Sequence, residues 1–259
     1  MNNIHQHAEH LLKAEEENHL VDCLTQDHPD LSLEDAYAIQ DRLVELKQEA
    51  GHSISALKMG FTSKGKMRQM GIEDPIHGKV FEYMEESDGA KLVFDEYLHP
   101  KAEAELAFKL GGDISGAEVT AEEVLEKTEC VFPMVEIIDS RYQDFKFTLP
   151  DVIADNTSAK RVVYSNQLFS PEDFRLDDIG VTLYKNGEAA IRGVSSFVMD
   201  HPANSVAALA KMLHERNGTG LRRGDLILTG GITEAVLLAK GDHVVTDFEG
   251  MGSVSFHVR

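Results

Sequence analysis

Apolar residues in the first part of the chain recur at the three- and four-residue spacing of α-helices. The segment after Asp30 is the clearest case, because Ser32 is a typical N-cap residue and Asp35 follows three positions later. The apolar face of this predicted helix is formed by Ala36, Ile39, Leu43 and Leu46. The pattern therefore predicts a helical N-terminal region that ends at Gly51.

From Ile54 onwards the pattern changes to short apolar runs separated by Gly, Pro, Asp and Asn, which is typical of strands and turns. Asn186-Gly187 favours a hairpin turn, since both residues tolerate a positive φ. A long helix is predicted over 205–216, with Gly218 just past its end, and a short one over 121–129. The predicted strands are 56–59, 91–94, 104–110, 131–138, 181–184, 226–229, 243–247 and 254–258.

Strands and helices do not alternate regularly along the chain, which argues against a doubly wound or barrel-type parallel sheet. The pattern instead predicts an α+β protein. We expect a helical region at residues 1–51 and a β-rich domain at residues 52–259, packed together as one unit.

Acidic residues dominate the charge: 45 Asp and Glu stand against 25 Lys and Arg, which gives a net charge of −20. Nucleic acid and anionic membranes would repel such a protein, so we expect neither as a partner, although a local cation can still hold a small anion. The N-terminus does not resemble a signal peptide, and no apolar stretch is long enough to span a bilayer. With only two cysteines, the chain is expected to be cytoplasmic.

Two carboxylates in one predicted strand are the sharpest chemical feature. Glu103 and Glu105 lie two positions apart and therefore point to the same face of the strand. Carboxylates that close cannot both stay ionised without a compensating cation. The simpler alternative is a solvated strand face, but the apolar flanks, Ala104 and 106–108, indicate a half-buried strand.

A third carboxylate and a lysine also lie in apolar runs. Glu136 interrupts the run 131–138, and a buried carboxylate needs a metal ion or another partner. Three carboxylates from two strands suit a hard cation such as Mg²⁺ or Mn²⁺, whereas Arg141 or Arg161 would be an alternative partner for Glu136. Lys58 is a candidate acid, base or carboxylate anchor, or else a strand lysine that faces solvent.

Three further features give weaker signals. The run 226–233 ends in a hydroxyl-rich Gly-Gly turn, and free N–H groups in such turns can bind an anion. His77 is a candidate substrate contact or an ordinary turn residue. The N-terminal histidines form a metal site or a solvated chain end; they are His5, His7 and His10.

The chain contains no nucleotide-binding glycine motif, no H-E-x-x-H motif and no G-x-S-x-G motif.

Over nearly its whole length the sequence resembles the hydratase/decarboxylase group of the fumarylacetoacetate-hydrolase superfamily. The segments that carry the resemblance are LKMGFTS at 57–63, MGIEDPIHG at 70–78, HPKAEAE at 99–105, VEIIDSRY at 135–142, ADNTS at 154–158 and LTGGIT at 228–233. The resemblance implies a mixed β-sheet roll with an N-terminal helical region.

The resemblance also implies roles for particular residues. Family members bind Mg²⁺ or Mn²⁺ through three carboxylates, and their active-site lysine matches Lys58. Ile76 stands where the related dienoate hydratases carry an acid that handles protons during water addition, which favours decarboxylation here. His77 stands where the decarboxylases usually carry Tyr. The implied metal ligands are Glu103, Glu105 and Glu136, and further implied substrate contacts are Ser158, Thr229 and Thr233.

The implied reaction is the metal-dependent decarboxylation of 2-oxohex-3-enedioate, a 2-oxo dicarboxylate, to 2-hydroxypenta-2,4-dienoate and CO₂ in the meta-cleavage catabolism of aromatic compounds. Hydration of that dienoate is the main alternative. A C–C hydrolase acting on acylpyruvates is less favoured, because no His/Glu pair for activating water is evident. A catalytically silent binding protein is also less favoured, because Lys58 and the three glutamates are intact. The resemblance further implies a complex with a partner dienoate hydratase.

Overall fold

The computed structural model describes residues 4–63, 67 and 74–259, so part of the resembling segment 70–78 lies outside the described residues. The helices are α1 (Ile4–Glu16), α2 (Leu24–Asp27), α3 (Leu33–Glu49), α4 (Ala121–Glu126), α5 (Leu149–Ala154) and α6 (Pro202–Asn217). Short 3₁₀ turns lie at Glu82–Met84, Phe94–Glu96, Gln143–Phe145, Asn156–Ser158, Pro171–Asp173 and Ser195–Phe197. The strands are β1 (Ile54–Gly60), β2 (Ile76–Phe81), β3 (Glu85–Ser87), β4 (Ala90–Leu92), β5 (Lys101–Leu110), β6 (Thr128–Ile138), β7 (Ala159–Tyr164), β8 (Gly180–Lys185), β9 (Glu188–Val194), β10 (Leu226–Leu228), β11 (Val236–Leu237), β12 (His243–Phe248) and β13 (Gly252–Val258).

The larger sheet has the strand order β2-β1-β10-β5-β6-β7-β3, and β11 also pairs with β5. Strand β1 runs parallel to β10 and antiparallel to β2, so the sheet is mixed. The long hairpin of β5 and β6 pairs from Lys101 opposite Ile138 to Leu110 opposite Thr128. This order places Lys58 of β1 opposite Leu228, close to the β5–β6 pair.

The smaller sheet has the order β4-β13-β12-β8-β9. Side chains from both sheets share one apolar core, in which Phe108 and Val135 come from the larger sheet and Leu183 and Phe256 from the smaller one. Helix α6 adds its buried face to this core. Each such side chain contributes about 1.5–3 kcal/mol to folding when buried. The mixed sheets and the N-terminal helices confirm the predicted α+β fold.

The N-terminal helices begin and end close to the predicted positions. The backbone N–H of Asp35 donates to Ser32 Oγ at 3.0 Å, and Asp35 in turn accepts from the Ser32 backbone, which completes a capping box for α3. The helix ends at Glu49, two residues before Gly51, whose φ is +96°. Helices α1 and α3 share an apolar cluster with Val152 and Ile153 of α5. A domain boundary at residue 51 stays a prediction.

The predicted turns are present, and three predicted elements are too long, the strand at 226–229 by one residue. Asn186 and Gly187 have φ values of 56° and 85° between β8 and β9, and Gly218 ends α6 with a φ of 65°. Strand β4 ends at Leu92, because a 3₁₀ turn starts two residues later. Helix α4 ends before Thr128, where β6 begins. In the described part of the chain, no helix is both long and apolar enough to cross a membrane.

Candidate active site

Three glutamates from two neighbouring strands meet at one place in the larger sheet. Glu103 and Glu105 share a face of β5, and Glu136 on β6 lies directly opposite Glu103. One carboxylate oxygen from each residue lies within 4.8 Å of the others. Glu105 is 0% exposed and Glu103 is half-buried, so the alternative of a solvated strand face is wrong. Glu136 is 1% exposed.

Burial disfavours the charged forms of these carboxylates. It raises the pKa of Glu105 well above its ordinary value, and the neighbouring Glu136 and Glu103 raise it further. Burial also raises the pKa of Glu136, although Lys58 opposes that change. Within the described residues, Glu105 Oε1 and Glu136 Oε2 have no hydrogen-bond partner. Buried, unpartnered carboxylate oxygens fit a hard cation such as Mg²⁺ or Mn²⁺.

Lys58 brings a positive charge to this group. Its side chain is 2% exposed, so the alternative of a solvent-facing lysine is wrong. The Nζ atom lies 2.8 Å from Glu136 Oε1 and donates a hydrogen bond of 2.8 Å to the carbonyl of Thr157. The two arginines considered as partners of Glu136 pair with other acids, Arg141 with Asp155 and Arg161 with Glu96.

The carbonyl that accepts from Lys58 belongs to a strained turn before β7. Asn156, Thr157 and Ser158 all have positive φ values, between 48° and 56°, which are uncommon for residues with a side chain. The Asn156 side chain makes 2.8 Å hydrogen bonds with both backbone groups of Lys79 on β2. Gly78 permits this approach, since a Cβ there would lie 2.8 Å from the Asn156 carbonyl oxygen. Strained backbone that neighbouring contacts hold in place is typical of functional sites.

A glycine turn after β10 fixes the other buried carboxylate. The backbone N–H of Gly230 donates a 2.8 Å hydrogen bond to Glu105 Oε2. Gly230 has a φ of +93°, and a Cβ there would lie 2.2 Å from Thr62 Oγ1. An N–H of the Gly-Gly turn therefore binds the protein's own Glu105, and the binding of a separate anion by this turn stays a prediction.

Lys58 and Glu103 line a cavity of about 200 Å³. Ile76 and Ser158 line it as well, and Ser158 Oγ is a buried hydroxyl without a hydrogen-bond partner among the described residues. Apolar and aromatic side chains form much of the remaining wall; they are Met59, Phe61, Ile138, Phe145, Phe147, Val152 and Ala235. Such a small, mostly apolar cavity with a few convergent polar groups suits a small-molecule ligand.

The two threonines predicted to contact substrate are engaged in the sheet. Thr229 Oγ1 donates a 2.9 Å hydrogen bond to the carbonyl of Leu106, and Thr233 Oγ1 accepts a 3.3 Å hydrogen bond from the N–H of Ala104. Both side chains are buried, and neither belongs to the described cavity wall. Their role as substrate contacts stays a prediction.

His77 lies next to Ile76 on β2, where neighbouring side chains point to opposite faces. Its ring stacks on Tyr37 of α3, with 4.7 Å between the ring centroids, and does not belong to the described cavity wall. Burial lowers the pKa of His77 to about 3, and Lys79 and Arg216 add to the effect. The imidazole is therefore neutral near pH 7, and its predicted contact with substrate stays a prediction.

Sequence reasoning missed several residues of the site. The family resemblance implied Ser158, but the left-handed conformation of 156–158 was not predicted, because none of these residues is glycine. Phe145 and Phe147 lie in an irregular loop with no periodicity to interpret. Lys101 could have been found, since it continues the two-residue spacing of Glu103 and Glu105 towards the start of β5.

The mixed sheet brings three carboxylates and a buried lysine together at a small cavity. This arrangement defines a class of enzyme site that can hold a small anion beside a divalent cation. The family model described as "Fumarylacetoacetate (FAA) hydrolase C-terminal" matches residues 87–259. The chain belongs to the fumarylacetoacetate hydrolase family, as the sequence resemblance implies.

Individual relatives are similar over almost the full length. The chain is 42% identical to 4-oxalocrotonate decarboxylase of Pseudomonas sp. (strain CF600) over 248 residues, which cover 96% of this chain and 94% of that protein. It is 37% identical to 2-hydroxyhexa-2,4-dienoate hydratase of Comamonas testosteroni, with 90% and 88% covered. The solved structure of 4-oxalocrotonate decarboxylase from Pseudomonas putida G7, complexed with magnesium and adipate, matches with a TM-score of 0.96 and 39% identity, covering 99% and 97%. These matches confirm the predicted fold type.

Proposed function

We propose that this protein is a 4-oxalocrotonate decarboxylase that depends on Mg²⁺ or Mn²⁺. The observation that carries the proposal is the buried group of Glu103, Glu105, Glu136 and Lys58 beside a small apolar cavity. Full-length similarity to decarboxylases of that name supports it, one of them solved with magnesium and a six-carbon dicarboxylate. The substrate is 2-oxohex-3-enedioate, and the products are 2-hydroxypenta-2,4-dienoate and CO₂.

The protein's first task is to hold the metal ligands in place. Glu103, Glu105 and Glu136 would bind the cation, and Gly230 fixes one oxygen of Glu105 while Oε1 stays available. Lys58 fixes Glu136 in the same way, because its Nζ atom contacts Oε1 of Glu136. When bound, a divalent cation supplies Lewis-acid stabilisation for the negative charge that develops on the C2 oxygen.

In the reaction the C5–C6 bond breaks and C6 leaves as CO₂. Its electron pair forms the C4–C5 double bond, the conjugated electrons move to the C2 oxygen, and that oxygen then accepts one proton. Lys58 carries protons at Nζ beside the carboxylates and is the residue that we assign to orient the substrate and to supply this proton. The aromatic side chains of Phe145 and Phe147 help to exclude water from the cavity in which this bond breaks.

Two further cavity residues fit this chemistry. Ser158 Oγ has an unused hydrogen-bonding capacity at the cavity and is assigned to contact the substrate. Ile76 presents an apolar side chain where the family resemblance expects an acid in hydratases. We therefore favour carboxylate loss over water addition at this site.

Two assays with Mg²⁺ test the proposal. One supplies 2-oxohex-3-enedioate and measures CO₂, and the other supplies 2-hydroxypenta-2,4-dienoate and measures its consumption. We expect CO₂ release in the first assay and a much slower reaction in the second. Consumption of the dienoate without CO₂ release from the dicarboxylate would replace our proposal with a hydratase function. Hydration is the second candidate because a hydratase relative is 37% identical to this chain.

We also propose that the protein is cytoplasmic and associates with a partner dienoate hydratase. The two cysteines, Cys23 and Cys130, are free, which suits a reducing compartment. The association is taken from the family resemblance. Co-expression of both enzymes followed by size-exclusion chromatography tests it, with co-elution as the expected result and separate peaks as the contrary one.

A further inference from the structure

Strand β5 carries a third charged side chain in register with its two glutamates. Lys101, Glu103 and Glu105 follow each other at two-residue spacing and therefore share a face of the strand. Lys101 lines the same cavity as Glu103. Its Nζ lies 3.8 Å from the centroid of the Phe145 ring, which also lines the cavity, so the ring positions the ammonium group.

The spacing along β5 matches the length of the proposed substrate. Two residues of an extended strand span roughly 7 Å, so the Lys101 backbone lies about that far from the backbone of Glu103. A six-carbon dicarboxylate that places its 2-oxo acid end at the glutamates carries its distal carboxylate a comparable distance away. Lys101 is therefore placed to meet the far end of such a ligand.

The charges of the cavity wall divide in the same way. Among the described residues that line the cavity, the positive charges belong to Lys58 and Lys101. Lys58 is bound to Glu136 and to the Thr157 carbonyl, at the metal-ligand end. The Phe145 ring covers one side of the Lys101 ammonium group, and excluding water on that side strengthens an ion pair formed there.

We propose that Lys101 binds the distal carboxylate and so determines the specificity for 2-oxo dicarboxylates over monocarboxylates of the same length. This inference rests on the proposed function for the identity of the substrate. A charge-assisted hydrogen bond from Lys101 to the carboxylate is made on binding and is lost as that carboxylate becomes CO₂. Because this contact weakens as the bond breaks, Lys101 contributes to substrate affinity and cannot speed the chemical step.

Isothermal titration calorimetry of the Mg²⁺-loaded full-length protein with two saturated ligands tests the inference. These are 2-oxohexanedioate and 2-oxohexanoate, which differ only in the distal carboxylate and lack the double bond needed for turnover. We expect the wild type to bind the dicarboxylate at least about ten-fold more tightly. In Lys101→Met this preference should fall to less than about two-fold with unchanged 2-oxohexanoate affinity, whereas Lys101→Arg should retain most of it.

Lys240→Met is the matched control, because Lys240 is exposed and pairs with Asp95 away from the cavity. This variant should keep the wild-type preference. A full preference in Lys101→Met would overturn the inference, as would a wild type that binds both ligands equally. Thermal unfolding of each variant detects misfolding. If Lys101→Met is misfolded, the Lys101→Arg variant alone decides. A folded Lys101→Arg protein that has lost the preference for the dicarboxylate counts against the inference.

Steady-state kinetics provide the second readout. With 2-oxohex-3-enedioate, Lys101→Met should raise KM at least about ten-fold without lowering kcat by more than about two-fold. A large fall in kcat with unchanged KM would also overturn the inference. Failure of the wild type to release CO₂ would overturn the proposed function alone, because the calorimetric preference does not depend on turnover.

Discussion

At the scale of single residues, the site depends on charges that the protein compensates only in part. Glu136 has Lys58 as a partner, and Glu105 has the N–H of Gly230, but each keeps one buried oxygen without a hydrogen-bond partner among the described residues. A buried carboxylate oxygen without a partner is costly. A divalent cation would supply the positive charge that these oxygens lack. Replacing one of the carboxylates should therefore change the affinity for the metal.

Glu105→Gln is expected to abolish metal binding and turnover together, because it removes a buried charge from the ligand group. Calorimetry with Mg²⁺ and the CO₂ assay measure the two effects. Glu129→Gln is the control, since Glu129 lies on β6 but is exposed. Full activity of Glu105→Gln in the presence of a chelator would show that the metal assignment is wrong.

Lys58→Met should lower kcat by about a hundred-fold or more, because the site loses its proton donor. Mg²⁺ should still bind, since all three glutamates remain. Lys211→Met serves as the control, because Lys211 is exposed and pairs with Glu215 on the surface of α6. A Lys58→Met variant that turns over at the wild-type rate would remove Lys58 from the mechanism.

Sequence periodicity could predict that Glu103 and Glu105 share a face, and the apolar run around Glu136 could predict its burial. It could not predict that Lys58 is the partner of Glu136. That contact requires β1 to lie beside β10, in the same sheet as β5 and β6, which is a property of strand order. Local patterns contain no information on such a pairing, so the two arginines nearby in sequence were equally plausible.

At the scale of elements, a buried ion pair joins the two long N-terminal helices, and a hydrogen bond connects it to the turn after β2. Lys47 of α3 lies 2.6 Å from Glu15 of α1 and donates a 3.1 Å hydrogen bond to the hydroxyl of Tyr83, which follows β2. Burial alone would raise the pKa of Glu15, but Lys47 and Arg141 outweigh it and hold the pKa at about 2. Folding therefore favours the ionised form of Glu15.

This ion pair predicts a specific acid sensitivity. The pKa of Glu15 is lower in the folded protein than in the unfolded chain, so its contribution to stability is present above about pH 4.5 and is lost as the pH falls towards about 2. We expect Glu15→Gln to show a weaker fall in unfolding free energy across that interval, measured by urea titration. Glu16→Gln, at an exposed neighbour, should behave as the wild type. If the free energy of unfolding falls equally at acid pH in Glu15→Gln and in the wild type, the assignment of this acid sensitivity to Glu15 is contradicted.

Elements with strong local signals were predictable, and those defined by tertiary contacts were not. The α3 capping box, the Asn186-Gly187 turn and the Gly218 helix end follow from local chemistry. The apolar run in β7, 162–164, is too short to predict a strand by itself, and its pairing with β6 defines the strand. The turn at 156–158 is held by Gly78 and Lys79 of β2, about eighty residues away in sequence, so no local signal marks it.

At the scale of the whole molecule, the helical region and the β-rich region share a core. The cluster that joins α1 and α3 also contains Ile76 of β2, Tyr142 and three buried residues of α5, and Ile76 is part of the cavity wall. Removing the helices would expose these side chains to water. The core of the protein therefore runs across the sequence boundary predicted at residue 51.

The fragment 52–259 is accordingly expected to lack a cooperative unfolding transition and to bind no Mg²⁺. Circular dichroism during heating and calorimetry measure the two properties, with the full chain as the control. A fragment that unfolds cooperatively and binds Mg²⁺ as the full chain does would establish the N-terminal region as a separable domain.

Metal binding should stabilise the entire fold, since the glutamates lie in its central strands. At a Mg²⁺ concentration one hundred times Kd, the gain is about 2.7 kcal/mol, which corresponds to a rise in Tm of about 5–10 °C for a chain of this size. Chelation should reverse the rise, and Glu105→Gln should show none. An unchanged wild-type Tm at saturating Mg²⁺ would contradict the assignment of a Mg²⁺ site to these glutamates.

The parallel pairing of β1 with β10 also governs when the site can form during synthesis. Leu57 pairs with Ile227, so the two strands come together only after most of the chain has left the ribosome. Gly230, which binds Glu105, emerges later still. A nascent chain that ends before β10 therefore contains all three glutamates but lacks the N–H that fixes Glu105 and the strand that pairs with β1 beside Lys58. The ordered metal site consequently forms late in folding. Such long-range closure also predicts slow folding.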